Sequence, residues 1–216
     1  MIITSTDNAK LVACKKLADK KYRRATGAYL VEGERLVADA IRHGAVVTEI
    51  FVKQSVADKF TQTYPQADVV ADKAFAAISD TVNSQGIVAV CAYRPDGDLV
   101  APTGNCLVLD NVQDPGNAGT LIRTAAATGF DTVFAVNSVD LYSPKVLRAA
   151  MSAHFCVKLC QTHDYEALFA LLADNKYQIV CADMGGSDVF GMDFPRRIAL
   201  VVGNEGNGLS EFVRIR

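Results

Sequence analysis

Two kinds of hydrophobic pattern alternate along the first part of the chain. Short runs rich in β-branched and aromatic residues predict strands, and stretches with apolar residues three or four positions apart predict helices between them. The predicted strands are 28–31, 49–52, 68–70 and 86–93, and the predicted helices are 33–43, 56–64 and 73–80. A further helix is predicted across residues 10–24, with Leu11, Cys14, Ala18 and Tyr22 turned toward the interior. This pattern indicates a small α/β unit.

The rest of the chain has a different pattern. Five apolar runs, at 106–109, 132–136, 156–159, 177–182 and 198–202, are separated by helical segments. Such spacing is typical of strands buried in a mostly parallel sheet. Residues 94–104 between the two parts are rich in Pro, Gly and Asp, which predicts a linker. We therefore expect domains at 1–93 and 105–216, with ligands bound beyond the carboxyl ends of the second domain's strands.

Composition is that of an ordinary soluble globular protein. Of 216 residues, 50% are hydrophobic and 21% are charged. No apolar run reaches the roughly 18 residues of a membrane helix, and the start lacks the pattern of a signal peptide, so we expect a cytoplasmic protein without membrane contact. The six cysteines show no framework-like spacing and are expected to be reduced thiols. Cys156, Cys160 and His163 lack a fourth ligand, which favours core thiols over a metal site.

Charge is distributed unevenly. The net charge of −2 argues against binding of nucleic acid by bulk electrostatics, but residues 1–43 carry nine basic and five acidic residues, a balance of +4 against −6 for the remainder. Basic residues are densest between Lys10 and Arg24, on the predicted helix. The candidate RNA-binding residues are Lys16, Lys20, Lys21, Arg23 and Arg24. This basic helix face is either a foothold for RNA phosphates or a solvated surface.

The first candidate motif spans residues 109–129. Asp114 followed by Pro115 predicts a helix start, because Asp caps free N–H groups and Pro suits the first turn. Gly119 and the alanines at 125–127 keep this helix thin, which admits close approach by another backbone or by a ligand. Asn117 and Arg123 offer an amide and a phosphate-binding guanidinium. The segment is therefore either a helix-start anion site or a capped core helix with one exposed arginine.

The second candidate motif spans residues 198–210. A buried strand leads into a loop with glycines at 203, 206 and 208, whose bare backbone can wrap a flat ligand. Glu205 in this loop is either functional or a surface turn charge. The glycine register matches neither the dinucleotide fingerprint nor a P-loop, which disfavours a nicotinamide-dependent enzyme.

Together these segments resemble a known family. Residues 111–129 and 201–210 look like the first and second motifs of the SpoU/TrmH family of RNA ribose 2′-O-methyltransferases, in the SPOUT superfamily. Residues 27–36 are similar to the family's small substrate-binding domain, which resembles ribosomal and RNA-turn-binding proteins. The resemblance implies an α/β fold with a trefoil knot, S-adenosylmethionine as cofactor, a structured RNA substrate, rRNA rather than tRNA, and a homodimer.

The resemblance also implies roles for individual residues. Arg123 lies beside the ribose hydroxyl, Asn117 positions it, and Glu205 orients the active site. The implied cofactor-binding residues are Ala182, Asp183, Val202, Gly203, Asn204 and Gly208, of which 182 and 183 have a plain turn as an equal alternative. Arg123 acts either in removing the hydroxyl proton or as a phosphate clamp, the second being natural for a guanidinium that stays protonated.

One part of the family pattern is not found. Members continue into a third motif that supplies part of the cofactor cradle and completes the knot, whereas this sequence stops at Arg216. We expect a truncated sequence. The alternative function is a non-catalytic RNA-binding protein with an incomplete knot domain.

Overall fold

The computed structural model describes residues 2–93, 99–194 and 196–215, and these fall into two compact units. The first is Met1–Pro95 together with Tyr142–Pro144, and the second is Asp96–Leu141 together with Lys145–Arg216. Residues 94–98 of the expected linker lie outside the described part of the chain.

The first unit is built on a mixed five-stranded sheet. Its strands are β1 (Ile2–Ile3), β2 (Ala28–Glu32), β3 (Val46–Lys53), β4 (Asp68–Val70) and β5 (Ile87–Ala92). They lie in the order β1-β4-β3-β5-β2, parallel from β1 to β3 and antiparallel from β3 to β2. All four strands predicted here are present, and the prediction of an α/β unit is confirmed.

Short helices flank this sheet. They are α1 (Ala9–Lys16), α2 (Lys20–Thr26), α3 (Glu34–Arg42), α4 (Ala57–Phe60) and α5 (Asp72–Phe75), with a 3-10 turn at Gln54–Val56. The prediction of one helix across residues 10–24 is wrong. Leu17 ends α1, and the Asp19 side chain caps α2 by accepting a hydrogen bond from the Tyr22 N–H at 2.9 Å. Because of this break, Leu17 is buried and Ala18 is exposed, contrary to the expectation for Ala18.

The second unit contains a sheet for which mostly parallel strands were predicted, and all four of its strand pairings are parallel. Its strands are β6 (Cys106–Asp110), β7 (Thr132–Val136), β8 (Lys158–Thr162), β9 (Gln178–Ala182) and β10 (Ile198–Val202). The order is β8-β7-β6-β10-β9. Strand β8 begins two residues later than expected, because a 3-10 turn over Met151–Phe155 delivers the chain to Lys158.

Four helices accompany these strands within the described residues. They are α6 (Pro115–Ala127), α7 (Pro144–Ala150), α8 (Tyr165–Asp174) and α9 (Glu211–Arg214), with a 3-10 turn at Val189–Gly191. Helix α6 starts as predicted, with the Asp114 carboxylate accepting from the Asn117 N–H at 2.7 Å. A Cβ built on Gly119 would lie 2.4 Å from the Cβ of Ala149 and 2.7 Å from the backbone nitrogen of Ala150. The thin part of α6 therefore accommodates the backbone of a neighbouring helical segment.

The strand order places a switch point at the centre of this sheet. From β6 the chain moves through β7 to β8 on one side, whereas β9 and β10 lie on the other side. Because all five strands are parallel, Asp110 at the end of β6 and Val202 at the end of β10 lie at one edge. Ligands of open parallel sheets bind at such a position. Both sequence motifs begin there.

Among the described residues, no helix combines the length and the apolar character needed to cross a membrane.

Candidate active site

A buried carboxylate ties together the elements around the switch point. Asp110 is fully buried at the end of β6. Its two oxygens accept hydrogen bonds from the Tyr165 hydroxyl at the start of α8 and from the Ser210 N–H at 2.7 Å, just before α9. Asp110 was not among the residues singled out from the sequence. The sequence feature that could have identified Asp110 is its place as a charged residue at the end of an otherwise apolar strand. A buried charge is rare in proteins unless it has a partner.

Glu205 spans the two motifs. Its carboxylate accepts hydrogen bonds from the backbone N–H groups of Gln113 at 3.2 Å and Asp114 at 3.1 Å, at the start of α6. It also accepts one from the side-chain amide of Asn117 at 3.3 Å. Desolvation opposes ionisation of Glu205, but the backbone hydrogen bonds and the Asn117 amide outweigh it and lower the pKa of the carboxyl group below its usual range. Glu205 is therefore an ionised acceptor that orders the start of α6.

Asn204 closes the glycine loop. Its backbone pairs with Gly208 through two hydrogen bonds of 2.8 and 2.9 Å. Its side-chain oxygen accepts from the N–H groups of Gly206 and Asn207, and its amide donates to the Asn111 carbonyl at 2.9 Å. Gly208 has φ +68°, in the left-handed region that glycine adopts without steric cost. One asparagine thus fixes the loop and joins it to the segment after β6.

Gly203 packs against the loop it opens. A Cβ built on it would lie 2.3 Å from the carbonyl carbon of Gly208 and 2.5 Å from the nitrogen of Leu209. The sequence analysis interpreted this glycine as bare backbone that wraps a ligand. The structure gives a different reason for glycine here: the Cβ direction faces the backbone of the loop itself, so a larger residue disrupts the loop before it meets any ligand.

Arg123 stands apart from these contacts. It lies on α6 two turns beyond Asn117, and its side chain is exposed. Within the part of the chain that the structure describes, no hydrogen bond or ion pair involves its guanidinium. The structure therefore links Asn117 to Glu205 but does not link Arg123 to either. An exposed guanidinium without a protein partner is available for an anionic ligand.

An open cleft of about 840 Å³ lies along β9 and the glycine loop. Four of the six residues expected to bind the cofactor line it, and they are Ala182, Asp183, Asn204 and Gly208. Val202, the last residue of β10, and Gly203, which packs on the loop, do not line it. Glu205 lines it as well.

The character of the cleft suits a nucleoside with a charged side arm. Apolar walls come from Ile179, Leu200 and Met192, while the loop offers backbone N–H and C=O groups. Its volume lies within the roughly 300–1,000 Å³ typical of small-molecule sites. An apolar slot bordered by backbone polar groups and carboxylates fits the adenine, ribose and cationic sulfonium arm of S-adenosylmethionine.

The basic face on α1 and α2 differs from the prediction at one residue. The exposed cations are Lys10, which pairs with Asp68, and Lys15, Lys16, Lys20, Lys21 and Arg24. Arg23 is instead only 3% exposed, and its Nη1 donates to the carbonyl oxygens of Leu17 at 2.6 Å and Ala18 at 2.8 Å. The break between α1 and α2 leaves these carbonyls to be satisfied, and Arg23 satisfies them. Arg23 is therefore a structural residue, and the prediction that it binds RNA phosphate is wrong.

None of the six cysteines forms a disulfide bond or belongs to a metal site within the described residues. Cys160 is half-buried and Cys156 is exposed, so the expectation of a core position is wrong for Cys156. Within residues 2–93, 99–194 and 196–215, no group of His, Cys, Asp and Glu side chains is arranged to hold a metal ion.

Comparison with known proteins decides the family. The model of the SpoU rRNA Methylase family matches residues 104–215, which contain Glu205, Asn117 and the glycine loop. The model of the MRM3-like substrate binding domain matches residues 8–89. The chain belongs to the SpoU rRNA methylase family. The recognition made from motifs 111–129 and 201–210 is confirmed.

Similar proteins cover both domains of this SpoU chain. The 23S rRNA (guanosine(2553)-2′-O)-methyltransferase RlmP of Bacillus subtilis is 35% identical over 209 residues, which are 96% of this chain and 84% of that protein. The AdoMet-bound rRNA methyltransferase from Sinorhizobium meliloti superposes with a TM-score of 0.86 at 27% identity, covering 100% of this chain and 85% of that one. A TrmH-family RNA methyltransferase from Porphyromonas gingivalis gives a TM-score of 0.84 at 28% identity, over 96% and 85% of the two chains.

Proposed function

We propose that this SpoU protein transfers a methyl group from S-adenosylmethionine to a ribose 2′-hydroxyl of 23S rRNA. The observation that carries the proposal is the pairing of Asn117 with the Glu205 carboxylate at the carboxyl edge of the parallel sheet. The activity named for the Bacillus subtilis relative, which is similar over 96% of this chain, supports the substrate class.

The pairing leaves one atom of Asn117 for the substrate. Its Nδ2 donates to Glu205, so its Oδ1 is free to accept a hydrogen bond from the ribose hydroxyl. An acceptor at that point orients the hydroxyl oxygen, whose lone pair attacks the methyl carbon. Holding the two reacting atoms about 3–3.5 Å apart and in line supplies much of the rate enhancement. Glu205 acts through Asn117 and is a positioning residue.

Arg123 holds the RNA. Its exposed guanidinium binds a phosphate beside the target ribose through two N–H donors. It keeps its own proton, because a guanidinium is always protonated in proteins. As the O–CH3 bond forms and the S–CH3 bond breaks, the hydroxyl proton is released to solvent, and the Arg123 charge stabilises the developing negative charge on oxygen.

The cofactor occupies the cleft along β9. S-adenosylmethionine supplies an electrophilic methyl group on a sulfonium. In this proposal Ala182 and Asp183 border one side of it and Asn204 and Gly208 the other, with backbone groups of the loop meeting the adenine. Val202 and Gly203 contribute by fixing the strand and the loop rather than by touching the cofactor.

Three further features belong to the proposal. They are a trefoil knot around the cofactor, a homodimer as the active form, and a cytoplasmic location. The knot and the homodimer rest on the family resemblance, and the cytoplasmic location rests on the expectation from sequence.

Measuring methyl transfer tests the proposal. The protein is incubated with methyl-tritiated S-adenosylmethionine and unmodified transcripts of 23S rRNA, 16S rRNA or tRNA. We expect label in the 23S transcript, and calorimetry is expected to detect cofactor binding. Cofactor binding without label in any RNA would favour the alternative of a non-catalytic protein, and label in tRNA alone would overturn the substrate class.

A further inference from the structure

An imidazole outside the site described above is held in a defined orientation at the same edge of the sheet. His163 follows β8 and its side chain is exposed. Its Nδ1 lies 2.7 Å from Oδ1 of Asn137, the residue after β7. An amide oxygen can only accept, so Nδ1 carries the proton and donates it. Nε2 is then the ring's remaining polar atom.

The amide orientation of Asn137 follows from its other neighbour. Burial raises the pKa of the Tyr165 hydroxyl, and so does its hydrogen bond to Asp110, whereas the Asn137 side chain acts to lower it. A neighbour lowers a phenol pKa by donating to the phenol oxygen. The Asn137 amide thus acts on the Tyr165 hydroxyl as a donor does, and the structure places its Oδ1 against His163 Nδ1 at 2.7 Å.

The backbone of Asn137 is fixed from both sides. Its φ of +49° lies in the left-handed region, which asparagine tolerates better than most residues. Its N–H donates to the Thr162 carbonyl at 3.2 Å, and its own carbonyl accepts from Gln113 Nε2 at 2.8 Å. The unusual conformation is what aims the side chain at His163. Residues held in sparsely populated conformations are concentrated at functional sites.

Gln113 connects this group to the methyl-transfer site. The side-chain amide of Gln113 donates to the Asn137 carbonyl, and the backbone N–H of Gln113 donates to Glu205. Strands β6, β7 and β8 are adjacent, so about 4.8 Å per strand places the end of β8 roughly 10 Å from the end of β6. A dinucleotide spans that distance.

Three carboxylates lie at or shortly after the ends of β6, β7 and β8. Asp164 follows His163, and its carboxylate caps α8 by accepting from the Ala167 N–H at 2.9 Å. Asp110, at the end of β6, is bound by Tyr165 and Ser210. Asp140, in the segment after β7, is buried. With Nδ1–H already used on Asn137, an imidazolium at this position presents only its Nε2–H to a ligand.

We propose that the imidazolium form of His163, oriented by Asn137, donates from Nε2 to an RNA phosphate next to the methylated ribose. The inference rests on the proposed function and extends it from the reacting ribose to its flanking nucleotide. His163 is an RNA-binding residue, and Asn137 is a positioning residue that acts through it.

Filter binding of an unmodified 23S rRNA transcript at pH 6, across a series of salt concentrations, tests the inference. His163→Leu is expected to weaken binding about 10-fold and to reduce the slope of log affinity against log salt by roughly 0.7, the value for one phosphate contact on a single strand. Affinity for S-adenosylmethionine is expected to stay within two-fold. The matched control is Lys158→Gln, which removes an exposed cation from the opposite end of β8 and should leave both quantities unchanged.

Asn137→Gly separates orientation from folding. Glycine keeps the positive φ and removes only the amide. This variant is expected to weaken RNA binding three- to five-fold, and adding it to His163→Leu should cause no further reduction, because the two act as one unit. An unchanged affinity and salt slope in His163→Leu, or full additivity in the double variant, would overturn the inference.

The two proposals fail in different ways. A wild-type protein that methylates no RNA, yet binds RNA more weakly after His163→Leu, contradicts the methyl-transfer function and leaves the phosphate contact standing. A protein that methylates 23S rRNA with the same KM before and after His163→Leu contradicts the phosphate contact alone.

Discussion

The side-chain amide of Asn117 donates to the carboxylate of Glu205 at 3.3 Å, across 88 positions of sequence. This hydrogen bond joins the start of α6 to the glycine loop after β10. Glu205 also accepts hydrogen bonds from the backbone N–H groups of Gln113 and Asp114. The position of the glycine loop therefore determines the position of the segment that leads into α6. The proposed mechanism depends on this pairing.

The first prediction concerns Arg123. Arg123→Ala is expected to abolish methyl transfer, with a single-turnover rate lower by about 1,000-fold or more. Both the phosphate clamp and the stabilising charge are removed by this change. The side chain is exposed, so the melting temperature should not change, and calorimetric affinity for S-adenosylmethionine should stay within a few-fold. Arg123→Lys, which keeps the charge but not the paired donors, should recover part of the rate. Activity near wild type in Arg123→Ala would remove this residue from the mechanism.

The second prediction compares two glycines of one loop. Gly203→Ala should lower the melting temperature and abolish cofactor binding, because its Cβ would meet the Gly208 backbone at 2.3 Å. Gly206→Ala is the matched control for the melting temperature, since the nearest atom to its Cβ would be Asn204 Oδ1 at an ordinary 3.7 Å. Thermal melts and calorimetry measure both effects. A Gly203→Ala protein that melts and binds like wild type would contradict the close packing described for this loop.

The third prediction concerns the exposed cations on α1 and α2. Replacing Lys16, Lys20 and Lys21 with Gln should weaken RNA binding and flatten its salt dependence, by roughly 0.7 in slope for each phosphate that is no longer bound. Cofactor affinity should not change, because the cleft lies in the other unit. The control is Lys73→Gln, an exposed cation on α5. An unchanged salt slope in filter binding would identify the basic face as a solvated surface.

Arg23 provides the contrast to those lysines. Arg23→Gln should lower the melting temperature by several degrees, because the Leu17 and Ala18 carbonyls would be left without their donor beside a buried core. Thermal unfolding followed by circular dichroism measures this. A variant that melts at the wild-type temperature would show that the two carbonyls do not need the guanidinium.

Much of the fold and part of the site could be predicted from the sequence. The parallel sheet follows from five apolar runs, and the α6 start follows from Asp114 and Pro115, because both signals are local. The break between α1 and α2 was missed because helical periodicity continues through Leu17, and only the Asp19 cap marks it. The inward turn of Arg23 follows from that break and was missed with it.

The hydrogen bonds that cross the sheet could not be predicted. They join Asp110 to Tyr165, Gln113 to Asn137 and Asn137 to His163, over 55, 24 and 26 positions of sequence, and no periodicity relates these partners. Their meeting depends on the order β8-β7-β6-β10-β9. Gly203 packs the loop rather than bordering the cofactor, and this role likewise depends on a pairing within the loop, between Asn204 and Gly208.

The fourth prediction concerns acid stability. His154 is buried, and burial lowers the pKa of its imidazole to about 3, against the opposing charge of Asp140. The folded state therefore binds this proton less readily than the unfolded state, whose pKa is about 6.5. The neutral imidazole favours folding above about pH 6.5, and that contribution falls by up to about 1.4 kcal/mol per unit as the pH drops toward 3. Urea unfolding between pH 4 and 7 should be less pH-dependent in His154→Gln than in wild type, and equal slopes would contradict the burial.

The most direct measurement of the central claim is to locate the methyl group. Wild type and Glu205→Gln are incubated with unmodified 23S rRNA and S-adenosylmethionine under single-turnover conditions, and the product nucleosides are separated by mass spectrometry. We predict one 2′-O-methylated nucleoside from wild type, and a rate reduced about 10- to 100-fold by Glu205→Gln, which keeps the shape of the side chain but removes the charge that holds Asn117 and the α6 backbone. A methyl group on a base, or an equal rate in the two proteins, would contradict the proposed mechanism.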